Sequence, residues 1–146
     1  MSHVAEISLE IKDLDALAVS CRKLGLELKR GQEEYRWFGR SVGDYPLPKG
    51  FKKADLGKCD HAIIQPNNPQ GYEIGVVKRR DGKPGYTLLW DSWNGGYGLQ
   101  DKVGRNACLL KQRYGAEVAA KKARQQGFRV SEKVDSKGRL QLICQR

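Results

Sequence analysis

Residues 5–28 decide the fold class, and they read AEISLEIKDLDALAVSCRKLGLEL. From Ala5 to Ile11 every second side chain is apolar, which is the period of a strand with one buried face. Asp13 is placed to cap a helix, and Gly25 is placed to end it. The apolar side chains between them recur at helical spacing: Leu14, Leu17, Ala18, Cys21 and Leu24. The stretch therefore predicts a strand and an amphipathic helix, followed by strand again at residues 26–28.

Further strand patterns cover residues 34–38, 59–65, 72–78 and 86–90. Clusters of Pro, Asn, Asp and Gly separate the last three, as expected for antiparallel neighbours. Residues 34–38 either form a strand of their own or continue residues 26–28 across a break at Gly31, with Tyr35 and Trp37 on the same side.

Residues 39–58 hold Pro46, Pro48 and four glycines with little apolar periodicity. That composition predicts a long ordered loop and not a linker between domains.

The longest helical pattern runs over residues 102–126. Its apolar stripe consists of Val103, Ala107, Leu110, Tyr114 and Val118, and the other faces are basic. Gly127 is placed to end the helix, with Phe128 packing back onto it. Residues 128–134 and 139–144 then predict a hairpin across a turn at 135–138. The order β-α-β-β-β-β-α-β-β indicates one α+β domain over residues 1–146, in which a single, mostly antiparallel sheet is covered by two helices.

Length and composition exclude several classes of protein. A chain of 146 residues is the size of one domain. No run approaches the ~20 apolar residues of a membrane span. The N-terminus lacks a basic stretch followed by an apolar block, so we expect no export signal.

The four cysteines are too far apart in sequence for a zinc site or a redox pair: Cys21, Cys59, Cys108 and Cys144. We interpret them as small buried side chains with free thiols. Free thiols favour a reducing compartment, the cytoplasm, or the host cytoplasm if the chain is phage-encoded.

Positive charge is concentrated at the C-terminal end. Lys and Arg outnumber Asp and Glu by 27 to 17, for a net charge of +10. Residues 101–146 alone hold twelve basic and four acidic side chains. Such a field attracts polyanions, although a merely solvated surface is the plain alternative. Seven cations are suited to phosphate contacts: Lys78, Arg79 and Arg80 at a strand end, and Arg113, Lys121, Lys122 and Arg124 on the long helix.

A second candidate site is the glycine-rich loop after residue 90. It holds Trp90, Asp91, Trp93 and Tyr97, where a flat ligand could stack or a protein partner could dock. Core packing of the aromatic side chains is the alternative interpretation.

The sequence offers little for catalysis. Cys59 and His61 point to one side of their strand and Asp60 to the other, so a structural histidine is favoured over a nucleophile and base. A copper site at His3 is not expected either. An enzyme built on His61, Glu73 and Asp91 would depend on residue types alone. No phosphate-binding loop, paired carboxylate motif or dinucleotide fingerprint occurs, so we predict no catalytic residue, metal or cofactor.

Several blocks along the chain resemble one family. The blocks are MSH at 1–3, CDHAI at 59–63, YEIG at 72–75, WDSW at 90–93, LKQRY at 110–114 and QGF at 126–128. They resemble the plastid and cyanobacterial family called hypothetical chloroplast reading frame thirty-five, a domain of unknown function with relatives in bacteria and bacteriophages. The resemblance implies a small soluble intracellular protein, is compatible with a phage accessory role, and supplies no activity. The basic helix and residues 43–48 look less like the plastid members, which disfavours a photosynthetic role.

The sequence therefore predicts a cytosolic, non-enzymatic binding protein. Its basic C-terminal helix would contact an acidic partner, either nucleic acid or a nucleoprotein complex. The alternative is a phage-encoded factor that inhibits a host machine through the aromatic loop and residues 39–58.

Overall fold

The structure is a computed structural model, and it describes residues 2–41 and 45–146. The predicted loop segment at residues 42–44 lies outside the described residues. Within them, the strands are β1 (Ala5–Ile11), β2 (Glu27–Arg30), β3 (His61–Ile64), β4 (Ile74–Lys78), β5 (Tyr86–Trp90), β6 (Arg129–Val134) and β7 (Leu140–Gln145). The α-helices are α1 (Leu14–Lys23), α2 (Leu99–Val103) and α3 (Cys108–Gln125).

The first five strands form one antiparallel sheet in the order β1-β5-β4-β3-β2. This confirms the predicted α+β class with a mostly antiparallel sheet. β6 and β7 pair with each other and form a separate two-stranded sheet. Glu132 of β6 binds Lys23 of α1 and Arg113 of α3, so the hairpin lies on the helices and not at the edge of the five-stranded sheet.

Both faces of the five-stranded sheet are buried, because neighbouring side chains of its central strands point to opposite sides. In β4, Val76 faces the helices and Val77 faces the other side. Leu88 and Leu89 of β5 divide in the same way. The three helices cover the first face, and side chains from residues 35–59 cover the second.

The segment around Tyr35 and Trp37 is not the strand that the sequence predicts. Both side chains do pack on the same side, in the second core. The backbone, however, forms only an isolated bridge between Glu34 and Lys58. The amide of Arg36 donates to the carboxylate of Glu73, so this segment has no ladder to a neighbouring strand.

The predicted long helix is broken near its beginning. At Gly104 the backbone turns to φ 84°, and a Cβ there would lie 2.7 Å from the sulfur of Cys108. A new helix, α3, begins at Cys108 and ends at Gln125. Gly127 follows the end of the helix as predicted, and the amide of Phe128 donates to the carbonyl of Ala123. The predicted apolar stripe faces the first core in spite of the break.

The close approach of Gly75 and Tyr35 gives a test of the two-sided sheet. A Cβ at position 75 would lie 2.4 Å from the ring of Tyr35. Gly75→Ala should therefore lower the free energy of unfolding by about 1–3 kcal/mol, the usual cost of overpacking a core. Gly115→Ala in α3 meets open space and should raise it by up to about 1 kcal/mol, since alanine favours helix. Urea unfolding measures both, and equal stability of Gly75→Ala and the parent protein would contradict the packing.

Candidate functional site

Cys59, Asp60 and His61 each form a hydrogen bond with a backbone group of a neighbouring segment. The Cys59 thiol donates to the carbonyl of Gln32 over 3.1 Å. Burial raises the pKa of Cys59 to about 12, so the thiol keeps its proton at neutral pH. Nδ1 of His61 accepts from the amide of Gly31 over 3.0 Å. Asp60 accepts from the amide of Lys78. These contacts support the structural interpretation of the three side chains.

Glu73 and Asp91 also form hydrogen bonds with backbone groups of neighbouring segments. Glu73 accepts from the amide of Arg36 over 2.8 Å. Asp91 is almost fully buried, and it accepts from the amides of Trp93 and Phe38 over 3.0 and 3.3 Å. Both carboxylates therefore satisfy backbone donors of irregular segments, which have no ladder partners of their own.

No group of three or more His, Cys, Asp or Glu side chains suited to holding a metal ion occurs within residues 2–41 and 45–146. In the same ranges, no helix has the length and apolar character that a membrane crossing requires.

The loop after β5 contains a left-handed turn. Every residue from 94 to 98 has a positive φ, including two that are not glycine, Asn94 at 51° and Tyr97 at 52°. Consecutive left-handed residues are rare. Asparagine adopts this region more readily than most residues, whereas a tyrosine there costs about 1–2 kcal/mol. A conformation of this cost persists only where the surroundings fix it.

The loop between β3 and β4 fixes this turn. The side-chain amide of Gln65 donates to the carbonyls of Tyr72 and Gly96. Asn68 donates to the carbonyl of Tyr97 over 2.9 Å. The amide of Tyr72 donates to the carbonyl of Gly96. The turn is therefore held by three donors from one neighbouring loop.

This turn exposes aromatic side chains. Trp93 and Tyr97 are each 44% exposed, and Phe38 is 43% exposed. The carboxylate of Asp91 binds the amides of both Phe38 and Trp93, so it joins the two segments that carry them. Phe38, Trp93 and Tyr97 are called the aromatic patch below. Trp90, predicted as part of this site, is instead buried in the helix-side core and presents no face to a ligand.

Phe38 is the member of the patch that the sequence did not indicate. It closes a segment with a strand-like pattern, and only the tertiary structure brings it to Asp91. The guanidinium of Arg40 lies 5.4 Å from the centre of the Phe38 ring. Arg36, two residues before Phe38, donates to the carbonyl of Gly71 while its side chain stays 45% exposed.

Several of the predicted phosphate-binding cations are already engaged within the protein. Arg79 pairs with Glu10 and Asp81. Arg113 pairs with Glu132 over 3.0 Å, and Lys121 pairs with Asp13 over 2.8 Å. Arg80 lies over the ring of Phe51, on the face of the sheet opposite the helices.

Lys78, Lys122 and Arg124 have no acidic partner within the described ranges. Successive residues of an α-helix are rotated by about 100°, so Lys122 and Arg124 point to nearly opposite sides of α3. Arg124 is about three turns after Arg113 and shares the side that carries the hairpin. Lys122 shares the solvent side with Lys111. The predicted cations do not form one stripe.

The C-terminal helix–hairpin unit, residues 108–146, has nevertheless a strong excess of free positive charge. Its three acidic side chains, Glu117, Glu132 and Asp135, are all bound by cations of the protein itself. The cations that remain without an acidic partner, among the residues described, are Lys111, Lys122, Arg124, Arg129, Lys133, Lys137 and Arg146, the last of which lies over the ring of Phe128.

A groove of about 520 Å³ lies on the other face of the sheet, beside the strand end with Arg79 and Arg80. Glu6, Glu10 and Asp81 line it together with these arginines and Lys49. Its lining balances three acidic against three basic side chains, so it does not reinforce the field of the helix–hairpin unit.

Fold and surfaces together define an α+β domain with an antiparallel sheet, a basic helix–hairpin unit and an exposed aromatic patch. Residues 21–143 match the family described as "Protein of unknown function (DUF1257)". The chain belongs to this family, which confirms the expected membership of a family of unknown function. No curated protein and no solved structure matches the chain.

All four cysteines are free thiols, but the prediction that Cys108 and Cys144 are buried is wrong. Cys108 opens α3 on the side opposite Leu110 because the helix starts anew after Gly104. Cys144 lies near the open end of the hairpin, opposite Val130.

We expect iodoacetamide at about pH 8 to modify Cys108 and Cys144 in the folded protein and to spare Cys21 and Cys59. The first pair is exposed, whereas burial raises the pKa of each thiol in the second pair to about 12. Peptide mass mapping identifies the modified positions, and unfolding in urea should expose all four. Rapid labelling of Cys59 in the folded protein would contradict the packing of the loop.

Glu132 gives the hairpin a pH dependence. Hydrogen bonding to Lys23, and then to Arg113, holds the pKa of Glu132 below its ordinary value of 4.5. A lowered carboxylate pKa contributes stability above the unfolded pKa, and the contribution is lost as pH falls through the folded one. Hydrogen-exchange protection of residues 129–134 should therefore fall below about pH 4.5. Glu132→Gln should lower it already at about pH 6, whereas Glu33→Gln, without an ion pair in the described chain, should not. Unchanged protection in Glu132→Gln would remove Glu132 as the anchor.

Proposed function

We propose that this protein is a non-enzymatic binding protein whose helix–hairpin unit docks on an acidic partner, either nucleic acid or a nucleoprotein complex. The observation that carries the proposal is the state of the acidic side chains in this unit. Each of them is bound by a cation of the protein, so the remaining cations of the unit form no ion pair with any described residue.

Free surface cations are what a polyanion requires. Each phosphate that a Lys or Arg neutralises releases condensed counterions, which drives binding and makes it sensitive to salt. A cation that is held in an intramolecular ion pair contributes less, because the pair must be broken or shared. Of the predicted helix residues, Lys122 and Arg124 are therefore available to a polyanion, Arg124 from the side of α3 that carries the hairpin and Lys122 from the opposite side. Arg113 and Lys121 anchor α3 to neighbouring elements instead.

The hairpin adds cations that the sequence prediction did not single out. Arg129 and Lys133 are four residues apart on β6, so they point to the same side of the hairpin. Their cross-strand partners on β7 are Gln145 and Gln141, which are polar as well. All four are exposed. The proposed surface therefore extends from the long helix onto the outer face of the hairpin.

The proposal also includes the relatives of this chain and the cellular compartment in which it acts. We propose that the plastid, cyanobacterial and phage proteins of hypothetical chloroplast reading frame thirty-five are relatives of this chain, and that the protein acts in a reducing cytoplasm.

The alternative proposal is that the protein inhibits a host machine. Its predicted contact surface included residues 39–58, but Phe51 of that segment is buried against the sheet. The aromatic patch is the part of that surface which stays available.

Neutralising the free cations should weaken binding to a short DNA duplex. We expect Lys111→Gln/Lys122→Gln and Arg124→Gln/Arg129→Gln each to lower the affinity several-fold at about 50 mM salt. Each lost phosphate contact should reduce the slope of log affinity against log salt by about one unit. Fluorescence anisotropy of a labelled duplex measures both quantities.

The matched control removes the same charge elsewhere. Lys52→Gln/Lys53→Gln lies at the short 3₁₀ turn in the segment that covers the opposite face of the sheet, and it should leave the affinity within about twofold. An equal loss in all three double variants would mean that net charge alone acts, and it would contradict a defined surface. Absence of binding by the parent protein at low salt would overturn the proposal.

A further inference from the structure

We propose that the aromatic patch is a stacking site for the unpaired bases of a single-stranded nucleic acid. This inference rests on the proposed function, since it names the partner that brings phosphates to the basic surface. It adds a second contact, to the bases, made by side chains outside the helix–hairpin unit.

The exposure of the patch is the first argument. Phe38, Trp93 and Tyr97 are each more than 40% exposed, although a packed core is available on either face of the adjoining sheet. Trp90, only three residues before Trp93, is buried in one of these cores. Large aromatic side chains grouped at the surface are typical of recognition sites.

The second argument is the rigidity of the patch. Tyr97 is held in the left-handed region, and the carbonyl of this residue accepts from Asn68. Its ring packs edge-on against Tyr72, with ring centres 5.0 Å apart. The amides of Phe38 and Trp93 share one buried carboxylate. A platform that is fixed before binding loses little conformational entropy when a ligand stacks on it.

The strain of the turn supports the same conclusion. Trp93 and Tyr97 are exposed on a turn in which Tyr97 itself has a left-handed conformation. Gln65, Asn68 and Tyr72 are used to hold that conformation. Strain of this kind is found where the surrounding structure keeps a functional geometry in place.

Charge decides what kind of ligand fits. Two arginines lie beside the patch: Arg40, over the ring of Phe38, and Arg36, which stays 45% exposed although it pairs with Glu73 over 3.8 Å. Among the described residues, the carboxylates of Glu73 and Asp91 contact these segments, and both are buried. Asp91 binds the amides of Phe38 and Trp93, and Glu73 binds the amide of Arg36, the side chain of Gln32 and the guanidinium of Arg36. A ligand with flat rings and negative charge matches this surface, because rings stack on aromatic side chains while phosphates approach the guanidinium groups.

The strand must be unpaired. In a duplex the faces of the bases are covered by their neighbours, so aromatic side chains can stack only on bases of single strands, loops or ends. Stacking of this kind tolerates any sequence, since every base has a ring face. The patch therefore predicts binding to single strands with little sequence preference.

The test compares two single strands of equal charge: a thymidine 12-mer and an abasic 12-mer with the same backbone. We expect the thymidine strand to bind about tenfold more tightly and to quench the fluorescence of Trp93. Trp93→Ala and Tyr97→Ala should each remove most of that difference while leaving the affinity for the abasic strand unchanged. Trp93→Phe should retain most of it, because a phenyl ring still stacks.

Tyr45→Ala is the matched control, since Tyr45 is equally exposed at 42% but one face of its ring is already covered by the ring of His3, with the ring centres 3.9 Å apart. It should keep the full preference for thymidine. Urea unfolding of each variant confirms that the fold is retained.

Equal affinity for the thymidine and abasic strands would overturn the stacking site and leave the proposed function standing, with charge as its only contact. Failure of both strands and of the DNA duplex to bind at low salt would overturn the proposed function itself. Tighter binding of a polyglutamate peptide than of the thymidine strand, lost in Trp93→Ala, would overturn the inference and assign the patch to a protein partner.

Discussion

The structure depends on one constraint: the central strands of the sheet are apolar on both faces. Val76 and Val77, like Leu88 and Leu89, bury neighbouring side chains on opposite sides. Each face must be covered to remove it from water. Three helices cover one face, and a segment with little regular structure covers the other. Gly75, directly beneath the ring of Tyr35, allows that segment to approach the sheet closely.

The irregular segment on the second face needs other hydrogen-bond partners, because its backbone amides do not pair in a β-ladder. Two carboxylates meet part of this need: Glu73 binds the amide of Arg36, and Asp91 binds the amide of Phe38. Glu73 and Asp91, which the sequence suggested as catalytic candidates, thus attach the irregular segment to the sheet. Asp91 also binds the amide of Trp93. The carboxylate that stabilises the irregular segment therefore also holds the backbone of Phe38 close to that of Trp93.

The positive charge of the C-terminal region could be predicted from the sequence only in part. The excess of positive charge near the C-terminus could be counted from the sequence, but its availability could not. Lys121 is bound by Asp13, which is 108 residues away, and Arg113 is bound by Glu132 on the hairpin. Neither partner is indicated by local spacing. The free cations are those left after these long-range pairs have formed, and they include Arg129 and Lys133, which no local motif distinguishes.

The sequence by itself determined the elements whose signal is local: the alternation in β1, the cap and glycine stop of α1, the end of α3 before Gly127, and the antiparallel α+β class. Side-chain periodicity and end signals act within a few residues, so a single stretch is enough to read them. Only the tertiary structure decided that the hairpin is separate from the sheet, that residues 34–38 are not a strand, and that Phe38 joins Trp93. These features depend on contacts between residues far apart along the chain, and such contacts leave no periodic pattern in the sequence.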